Sequence, residues 1–117
     1  METSTIKRYK KVLEICKDIF IKKSQDYGSA WRILRLPSLT DQIFIKAQRI
    51  RSIQEKNTKK VNENIDNEFI GIINYCLMAV IQIEYKSEKI EINIEDLEKF
   101  YNNYSNETME LLANKNH

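Results

Sequence analysis

The sequence has 117 residues, enough for a single domain with one core. Two glycines and one proline are too few for the turns of a β-sheet protein. The net charge of +2 does not favour nucleic acid as a partner. Because no run of about 20 apolar residues is present and the first residues lack a signal-peptide pattern, we expect a cytoplasmic protein with no membrane segment.

Cysteine and histidine usage restricts the possible chemistry. Cys16 and Cys76 both fall on apolar stripes of predicted helices, and we interpret them as free, buried thiols in a reducing compartment. The single histidine, His117, argues against Ser–His and Cys–His nucleophilic pairs and against a zinc cluster. Since the sequence also lacks a glycine-rich phosphate loop, any chemistry is expected to use carboxylates, lysine, arginine or tyrosine.

Apolar residues recur at helical spacing in four segments. The first predicted helix runs from residue 3 to about residue 24, and an irregular segment rich in aromatic and basic side chains follows over 25–37. The second helix is predicted to begin at a cap, Ser38 or Thr40, and to run to about Glu55. Its inward stripe is predicted to comprise Leu39, Ile43, Ala47, Ile50 and either Ile53 or Gln54.

The third predicted helix, from about Asn62 to Lys86, is apolar nearly all round, which is typical of a central helix in a bundle. One of its sides carries Ile65, Phe69, Ile72, Cys76, Ala79 and Ile83. The fourth helix is predicted to follow a cap at Asn93 and to break near Ser105 and Asn106. The sequence therefore predicts an all-α bundle of about four helices over residues 1–117.

A basic and aromatic cluster is predicted where the irregular segment meets the second helix. Its members are Tyr27, Trp31, Arg32, Lys46 and Arg49, and the adjacent Asp26 is a further candidate nucleotide-binding residue. Cations suit phosphate groups and aromatic rings suit a base, so the combination is typical of a nucleotide site. The structural alternative is that Tyr27 and Trp31 anchor the core, while the cations are solvated or paired with Asp26 and Asp41.

Acidic and amide side chains lie close to one face of the third helix, because Glu63, Asp66 and Asn74 are separated by nearly whole turns. Two carboxylates on one helical face can share a divalent cation that binds phosphate oxygens. The alternative for Glu63 and Asp66 is stabilisation of the positive end of the helix dipole. The alternative for Asn74 is a structural hydrogen bond to a neighbouring helix.

Three stretches together resemble a bacterial and phage family, nucleotide modification associated domain one. They are Lys-Ser-Gln-Asp-Tyr-Gly-Ser-Ala-Trp-Arg over 23–32, Ser-Leu-Thr-Asp-Gln-Ile-Phe-Ile-Lys-Ala-Gln-Arg-Ile-Arg over 38–51, and residues 63–75, ending Glu-Phe-Ile-Gly-Ile-Ile-Asn-Tyr. The resemblance covers roughly residues 12–85. It implies a nucleotide-binding helical protein associated with nucleotide modification or metabolism, with a nucleotide or small phosphorylated ligand as its partner.

The resemblance also bears on chain organisation. Family members with two copies of the unit carry a second Asp-Tyr-Gly motif after a Lys-Asn-His, and this sequence ends in Lys115-Asn116-His117. The chain thus looks like the first repeat of a longer, pseudo-symmetric architecture. A partner half, or a second copy in a homo-oligomer, would then complete the fold.

The acid-bearing helical layout is also similar to the MazG-type nucleoside triphosphate pyrophosphatases, which bind Mg²⁺ through acidic motifs on two helices. The similarity implies a Mg²⁺ cofactor, and its ligands here would be Glu63, Asp66 and Glu68. Phosphates would be held by Arg32, Lys46 and Arg49, and Asn74 would fix a polar group. Lys46 and Arg49 stand where those enzymes need acids, so a metal-dependent pyrophosphohydrolase-like activity is one hypothesis, with no catalytic residue assigned.

Two further hypotheses are open. A non-enzymatic oligomerising or protein-interaction bundle would use its polar residues as ties between helices. It predicts that Asp26, Arg49, Glu63 and Asn74 pair with one another inside the fold and leave no open cleft. A DNA-associated accessory domain would require one clearly basic face.

Overall fold

The computed structural model describes residues 3–56, 62–85 and 91–115, with side chains in the second range described from Ile65 onward. Over these ranges the chain forms four α-helices, one short 3₁₀ turn and no β-strand. They are α1 (Ser4–Tyr27), the 3₁₀ turn (Ala30–Ile33), α2 (Leu36–Lys56), α3 (Asn62–Glu84) and α4 (Ile94–Lys115). The predicted all-α class with about four helices is confirmed. None of the helices in the described ranges combines the length and apolar character needed to cross a bilayer.

Two compact units are present, and each is built on one pair of packed helices. Unit 1 contains α1 and α4, and unit 2 contains the 3₁₀ turn, α2 and α3. In unit 1, α1 is capped by Thr3, whose hydroxyl accepts a hydrogen bond from the Ile6 amide at 3.2 Å. The helix ends at Gly28, whose φ of 67° favours glycine.

The start of α4 agrees with the sequence pattern, while its middle does not. The predicted Asn93 cap is confirmed, since its Oδ1 accepts a hydrogen bond from the Asp96 amide at 2.8 Å. The predicted break near Ser105 and Asn106 is wrong, because α4 is continuous to Lys115. Serine and asparagine lower helix propensity but do not interrupt a helix whose apolar face is packed.

The core of unit 1 is apolar and joins two distant parts of the chain. It contains Cys16, Phe20, Ile21, Ile92, Leu97 and Tyr101. The rings of Phe20 and Tyr101 lie 5.6 Å apart between centroids, a favourable distance for a tilted aromatic pair. Buried Ser29 accepts a hydrogen bond from the Ile92 amide at 2.9 Å, so the segment before α4 is tied to the end of α1.

In unit 2, α2 begins at Leu36, before both of the capping residues that the pattern predicts. Pro37 lies in its first turn, where the missing N–H costs nothing. The Arg35 carbonyl accepts hydrogen bonds from the amides of Ser38 and Leu39 at 3.0 and 3.3 Å. The predicted caps at Ser38 and Thr40 are therefore wrong, since both residues are already helical.

The face of α2 that packs on α3 contains a lysine. Leu39 and Ile50 are buried on this face, and Lys46 lies between them at helical spacing with its side chain 20% exposed. The predicted inward Ala47 is wrong, because that residue is exposed. A charged side chain thus occupies the middle of the helix interface.

The two cysteines differ in environment. Neither is joined in a disulfide, as predicted. Cys16 is fully buried, whereas Cys76 is exposed, so the prediction of burial is confirmed for the first and wrong for the second. The difference arises because α3 is apolar on several sides and not all of them are covered.

Candidate functional site

An ionic cluster between α2 and α3 is the central polar feature of unit 2. Lys46 Nζ lies 3.1 Å from Glu68 Oε2, and Arg49 lies 3.8 Å from Glu68 Oε1. The Glu68 side chain is 16% exposed, while that of Arg49 is 60% exposed. One carboxylate therefore faces two cations, and the cluster keeps one net positive charge whose guanidinium is open to solvent.

Gly71 makes room for the lysine. A Cβ at this position would lie 2.5 Å from Cε and 2.7 Å from Cδ of Lys46, closer than side-chain atoms approach. The lysine stem passes over the glycine and brings Nζ to Glu68. Nζ also lies 6.0 Å from the centroid of the Tyr75 ring, at the outer limit of a cation–π contact.

An open groove runs along α2 beside this cluster. Its volume is about 480 Å³, and its lining residues lie on one side of α2 with Glu68 of α3 at the edge. They are Phe44, Ile45, Gln48, Arg49, Ser52, Ile53, Lys56 and Glu68. We call this feature the α2 groove. It combines apolar surface, two cations, one carboxylate and two uncharged polar side chains.

Part of the α2 groove is apolar and exposed to solvent. Phe44 is 61% exposed and Ile45 is 41% exposed. Because a phenylalanine ring gains about 1.5–3 kcal/mol from burial, an exposed ring beside cations marks a surface that suits a ligand. The groove thus offers a flat apolar platform next to positive charge.

Arg32 is held by contacts at the other end of unit 2. Its guanidinium donates hydrogen bonds to Gln82 Oε1 and, at 3.3 Å, to the Tyr85 carbonyl. Gln82 in turn donates to the carbonyls of Arg32 and Leu34 at 2.8 and 2.7 Å. The guanidinium also lies 5.0 Å from the Tyr85 ring centroid. These contacts fix the 3₁₀ turn against the end of α3.

The remaining predicted nucleotide-binding residues occupy different places. Asn74 is buried at 7% exposure, and Trp31 is half-buried in the 3₁₀ turn. Asp26 is exposed and Tyr27 is 78% exposed at the end of α1, in unit 1. The structure therefore brings together Lys46, Arg49 and Glu68 of the predicted set, and it places Arg32 in a separate polar network of unit 2.

The predicted magnesium ligands do not form a site among the described side chains. Asp66 and Glu68 are two residues apart on α3, which places them on different sides of the helix, and Asp66 is exposed. Glu68 already faces two cations. Across residues 3–56, 62–85 and 91–115, no group of three or more Asp, Glu, His or Cys residues is positioned to hold a metal ion. Glu63, the third predicted ligand, lies outside the described side chains, so the Mg²⁺ cofactor stays a prediction.

Sequence reasoning missed several members of the site. Four of them, Phe44, Gln48, Ser52 and Lys56, follow one another at intervals of four residues. This spacing could have identified them, but only the apolar residues of α2 were used to predict its faces. Gly71 and Gln82 act through residues distant in sequence, and no local pattern indicates such contacts.

A known protein family matches much of the chain. The family described as nucleotide modification associated domain 1 matches residues 23–83, which include the end of α1, the 3₁₀ turn, all of α2 and nearly all of α3. The match thus covers every residue of the α2 groove. No curated protein and no solved structure matches the chain. Since the matched region is more than half of the sequence, the chain belongs to the nucleotide modification associated domain 1 family.

Proposed function

We propose that this protein binds a nucleotide in the α2 groove, with the phosphates at Arg49 and Lys56 and the base against Phe44. The observation that carries the proposal is the presence of an exposed aromatic ring and two cations in one groove of about 480 Å³. The association of the family with nucleotide modification supports this class of ligand.

The charge balance of the groove favours a phosphate. Lys46 of α2 lies 3.1 Å from Glu68 of α3 and neutralises it, so the carboxylate does not cancel the charge of Arg49. Arg49 presents a planar guanidinium that matches two phosphate oxygens at once. Lys46 therefore acts as a positioning residue, and Arg49 is the direct phosphate contact.

The spacing along α2 favours more than one phosphate. Arg49 and Lys56 are seven residues apart, which is two turns and about 10 Å along the helix axis. Both line the same groove, so they can reach successive groups of an extended ligand. We expect a nucleoside diphosphate or triphosphate to bind more tightly than a monophosphate.

The apolar part of the groove suits a base. Stacking of a base on an aromatic side chain contributes about 1–3 kcal/mol. Gln48 lies one turn from Phe44 and offers a donor and an acceptor for the base edge or the sugar, while Ser52 lies between Arg49 and Lys56, beside the proposed phosphates. Because stacking is tolerant of base identity, Gln48 is the expected source of selectivity.

Nucleotide binding in the α2 groove requires no hydrolytic step. Asp66 and Glu68 do not form a shared metal site, and the Glu68 carboxylate forms ion pairs with Lys46 and Arg49. The pyrophosphatase-like activity implied by the resemblance to MazG-type enzymes is a separate prediction, and pyrophosphate release with and without added Mg²⁺ measures it in the same samples.

Isothermal titration with nucleoside mono-, di- and triphosphates tests the proposal. Arg49→Met is expected to weaken binding about tenfold, since a charge-assisted hydrogen bond contributes about 1.5–3 kcal/mol before solvent screening. Arg51→Met is the matched control, because Arg51 lies on the same helix, is 78% exposed and is absent from the groove lining. Glu68→Gln is expected to tighten binding, because the cluster gains one net positive charge.

The two substitutions distinguish binding in the α2 groove from a general effect of charge. Binding by the unmodified protein, lost in Arg49→Met and kept in Arg51→Met, supports the groove. Failure of every nucleotide to bind, or equal weakening by the two substitutions, contradicts it, since equal weakening indicates a general charge effect.

A further inference from the structure

Glu68 lines the α2 groove but has no part in the base and phosphate contacts proposed above. Among the described lining residues it is the acidic one. Its side chain is 16% exposed, so most of it lies in the groove wall. Because a carboxylate repels phosphate, the part of a bound nucleotide that meets Glu68 must be uncharged and must offer a hydrogen-bond donor.

The Glu68 carboxylate can accept further hydrogen bonds beside its two cations. A carboxylate has about four positions at which it accepts a hydrogen bond. Lys46 Nζ donates to Oε2 at 3.1 Å, whereas the Arg49 guanidinium lies 3.8 Å from Oε1, beyond hydrogen-bond distance. Oε1 can therefore accept a hydrogen bond from a donor on the ligand.

Contacts with α2 place this carboxylate between the proposed positions of the base and the terminal phosphate. Glu68 contacts Lys46 and Arg49. These two residues follow Phe44 by two and five positions, about 3 and 8 Å of helical rise. The sugar of a nucleotide lies between its base and its phosphates. A ligand that stacks on Phe44 and extends to Lys56 therefore brings its sugar to the level of Glu68.

We infer that the α2 groove selects a ribonucleotide, with the 2′ and 3′ hydroxyls of the ribose donating hydrogen bonds to the Glu68 carboxylate. Ribose selection rests on the nucleotide site proposed above and adds the class of sugar to it. Acidic residues hold ribose hydroxyls in dinucleotide-binding folds as well. A 2′-deoxyribonucleotide lacks one of the two donors and is expected to bind less tightly.

Lys46 and Gly71 make the carboxylate compatible with a phosphorylated ligand. Lys46 Nζ neutralises Glu68 through Oε2 and leaves Oε1 toward other partners. Gly71 provides the space for the lysine stem, since a Cβ there would lie 2.5 Å from Lys46 Cε. The lysine and the carboxylate together present a hydrogen-bond acceptor without net charge, which binds a sugar hydroxyl without repelling the neighbouring phosphates.

An exocyclic amino group of the base is the other uncharged donor that a carboxylate can bind. The order of the lining residues favours the sugar, because Gln48 lies one turn from Phe44 and is placed at the edge of a stacked base. Glu68 meets α2 nearer to Arg49, the proposed phosphate contact. Uracil has no exocyclic amino group, so a preference for ribose measured with uridine nucleotides does not depend on such a group.

Isothermal titration with uridine triphosphate, 2′-deoxyuridine triphosphate and inorganic tripolyphosphate tests ribose selection. The unmodified protein is expected to bind the ribonucleotide about tenfold more tightly than the deoxyribonucleotide, because a hydrogen bond to a charged group is lost. The same ratio is expected for adenosine triphosphate over 2′-deoxyadenosine triphosphate. Tripolyphosphate has no sugar and therefore measures the phosphate contacts alone.

Glu68→Gln separates the sugar contact from the effect of charge. The substitution adds the same charge for every ligand, so tripolyphosphate and 2′-deoxyuridine triphosphate are expected to gain affinity by the same factor. Uridine triphosphate is expected to gain less, since a neutral amide is a weaker acceptor than a carboxylate. The preference for ribose is therefore expected to fall from about tenfold to below about threefold.

Glu55→Gln is the matched control for charge. Glu55 lies on α2, its side chain is 71% exposed, and it is absent from the groove lining. The preference for ribose is expected to keep its full value in this variant. Circular dichroism verifies that both variants are folded.

Ribose selection and nucleotide binding fail in different ways. Equal affinity for the two uridine nucleotides overturns ribose selection and leaves the nucleotide site in place. A preference that is the same in Glu68→Gln and Glu55→Gln also overturns it, because the carboxylate is then not the partner of the sugar. An advantage of adenosine over uridine that is lost in Glu68→Gln, without a preference for ribose, assigns the carboxylate to the base instead. Failure of every nucleotide to bind overturns the nucleotide site together with the sugar contact.

Discussion

The two helix pairs of this protein differ in the polar contacts that accompany their apolar cores. In unit 1, α1 and α4 meet through an apolar core that includes Phe20, Leu97 and Tyr101. In unit 2, charged and amide side chains cross between elements: Lys46 pairs with Glu68, and Gln82 binds the 3₁₀ turn. Apolar burial is non-directional, whereas polar ties define one arrangement. The difference shows that unit 2 adds polar ties, which define one arrangement, to an apolar core of its own that includes Leu39, Ile50 and Ile81.

The Lys46–Glu68 pair of unit 2 is better understood as positioning than as stabilising. The desolvation of a partly buried ion pair offsets much of its attraction, so the Lys46–Glu68 pair adds little to the free energy of folding. Its effect is to hold Glu68 away from full contact with Arg49, which stays 3.8 Å distant and 60% exposed. The matched family region contains this pair of helices and excludes α4.

Truncation of a core side chain is expected to have the largest effect on the free energy of unfolding, and the effect is expected to be similar in both units. Ile81 in unit 2 and Leu97 in unit 1 are 0% and 1% exposed. Ile81→Ala and Leu97→Ala are each expected to lower the free energy of unfolding by about 2–5 kcal/mol, from lost apolar contact and the cavity left behind. Urea denaturation measures both. A loss below about 1 kcal/mol in either variant would mean that the apolar core does not stabilise that unit.

The hydrogen bonds of Gln82 in unit 2 are expected to contribute less to the free energy of unfolding than the core side chains, but still measurably. Gln82→Met removes two hydrogen bonds to the carbonyls of Arg32 and Leu34 and the acceptor of the Arg32 guanidinium. We expect a loss of about 1–3 kcal/mol, because partly buried polar groups lose their partners. Gln54→Met is the control, since Gln54 is exposed on α2. Equal denaturation midpoints for the two variants would contradict a structural role for Gln82.

Unit 1 is expected to respond to alkaline pH through Tyr101. Burial, together with the neighbouring Cys16, raises the pKa of Tyr101 above its ordinary value of 10.0. Above pH 10 the unfolded state loses this proton while the folded state keeps it, so the native state binds more protons and stability falls as pH rises. The stabilising effect is fully present below pH 10. The slope of unfolding free energy approaches about 1.4 kcal/mol per pH unit.

Tyr101→Phe is expected to make the protein less sensitive to pH above 10, as measured by urea denaturation between pH 8 and 11. Tyr27→Phe is the matched control, because Tyr27 is 78% exposed. An unchanged alkaline slope in Tyr101→Phe would show that this hydroxyl does not govern the response.

Gly71→Ala is expected to have the smallest effect on stability and a specific effect on the site. Alanine improves helix propensity by about 1 kcal/mol, which offsets the loss of Lys46 contacts. The new Cβ displaces the lysine stem, and Glu68 is then left to Arg49. We expect a change of under about 1 kcal/mol in unfolding free energy but weaker nucleotide binding. Unaltered binding would mean that Lys46 does not position the cluster.

The sequence predicted the helices well because their apolar periodicity is a local signal. The Asn93 cap was also predictable, since capping depends on residues three apart. The caps at Ser38 and Thr40 failed because a proline that can end a helix can equally occupy the first turn of the next. The inward position of Lys46 could not be read from α2, since the space for it is provided by Gly71 of α3.

The candidate site was predicted only in part, because residue type and spacing are local signals and contacts between helices are not. Lys46 and Arg49 stand out as cations at helical spacing, and the structure places both beside Glu68. Arg32 has the same residue chemistry, yet its contacts are with Gln82, 50 residues away in sequence. Residue type alone cannot separate a cation that is open to solvent from one engaged inside the fold.

Chemical-shift mapping by NMR tests the central claim most directly. An isotopically labelled sample is titrated with a nucleoside triphosphate, and the amide shifts of both units are followed. The account predicts saturable changes at Phe44, Arg49, Ser52 and Lys56, with the α1 and α4 amides of unit 1 unchanged. Changes concentrated on α1 or α4, or no saturable change at any amide, would contradict a nucleotide site in the α2 groove.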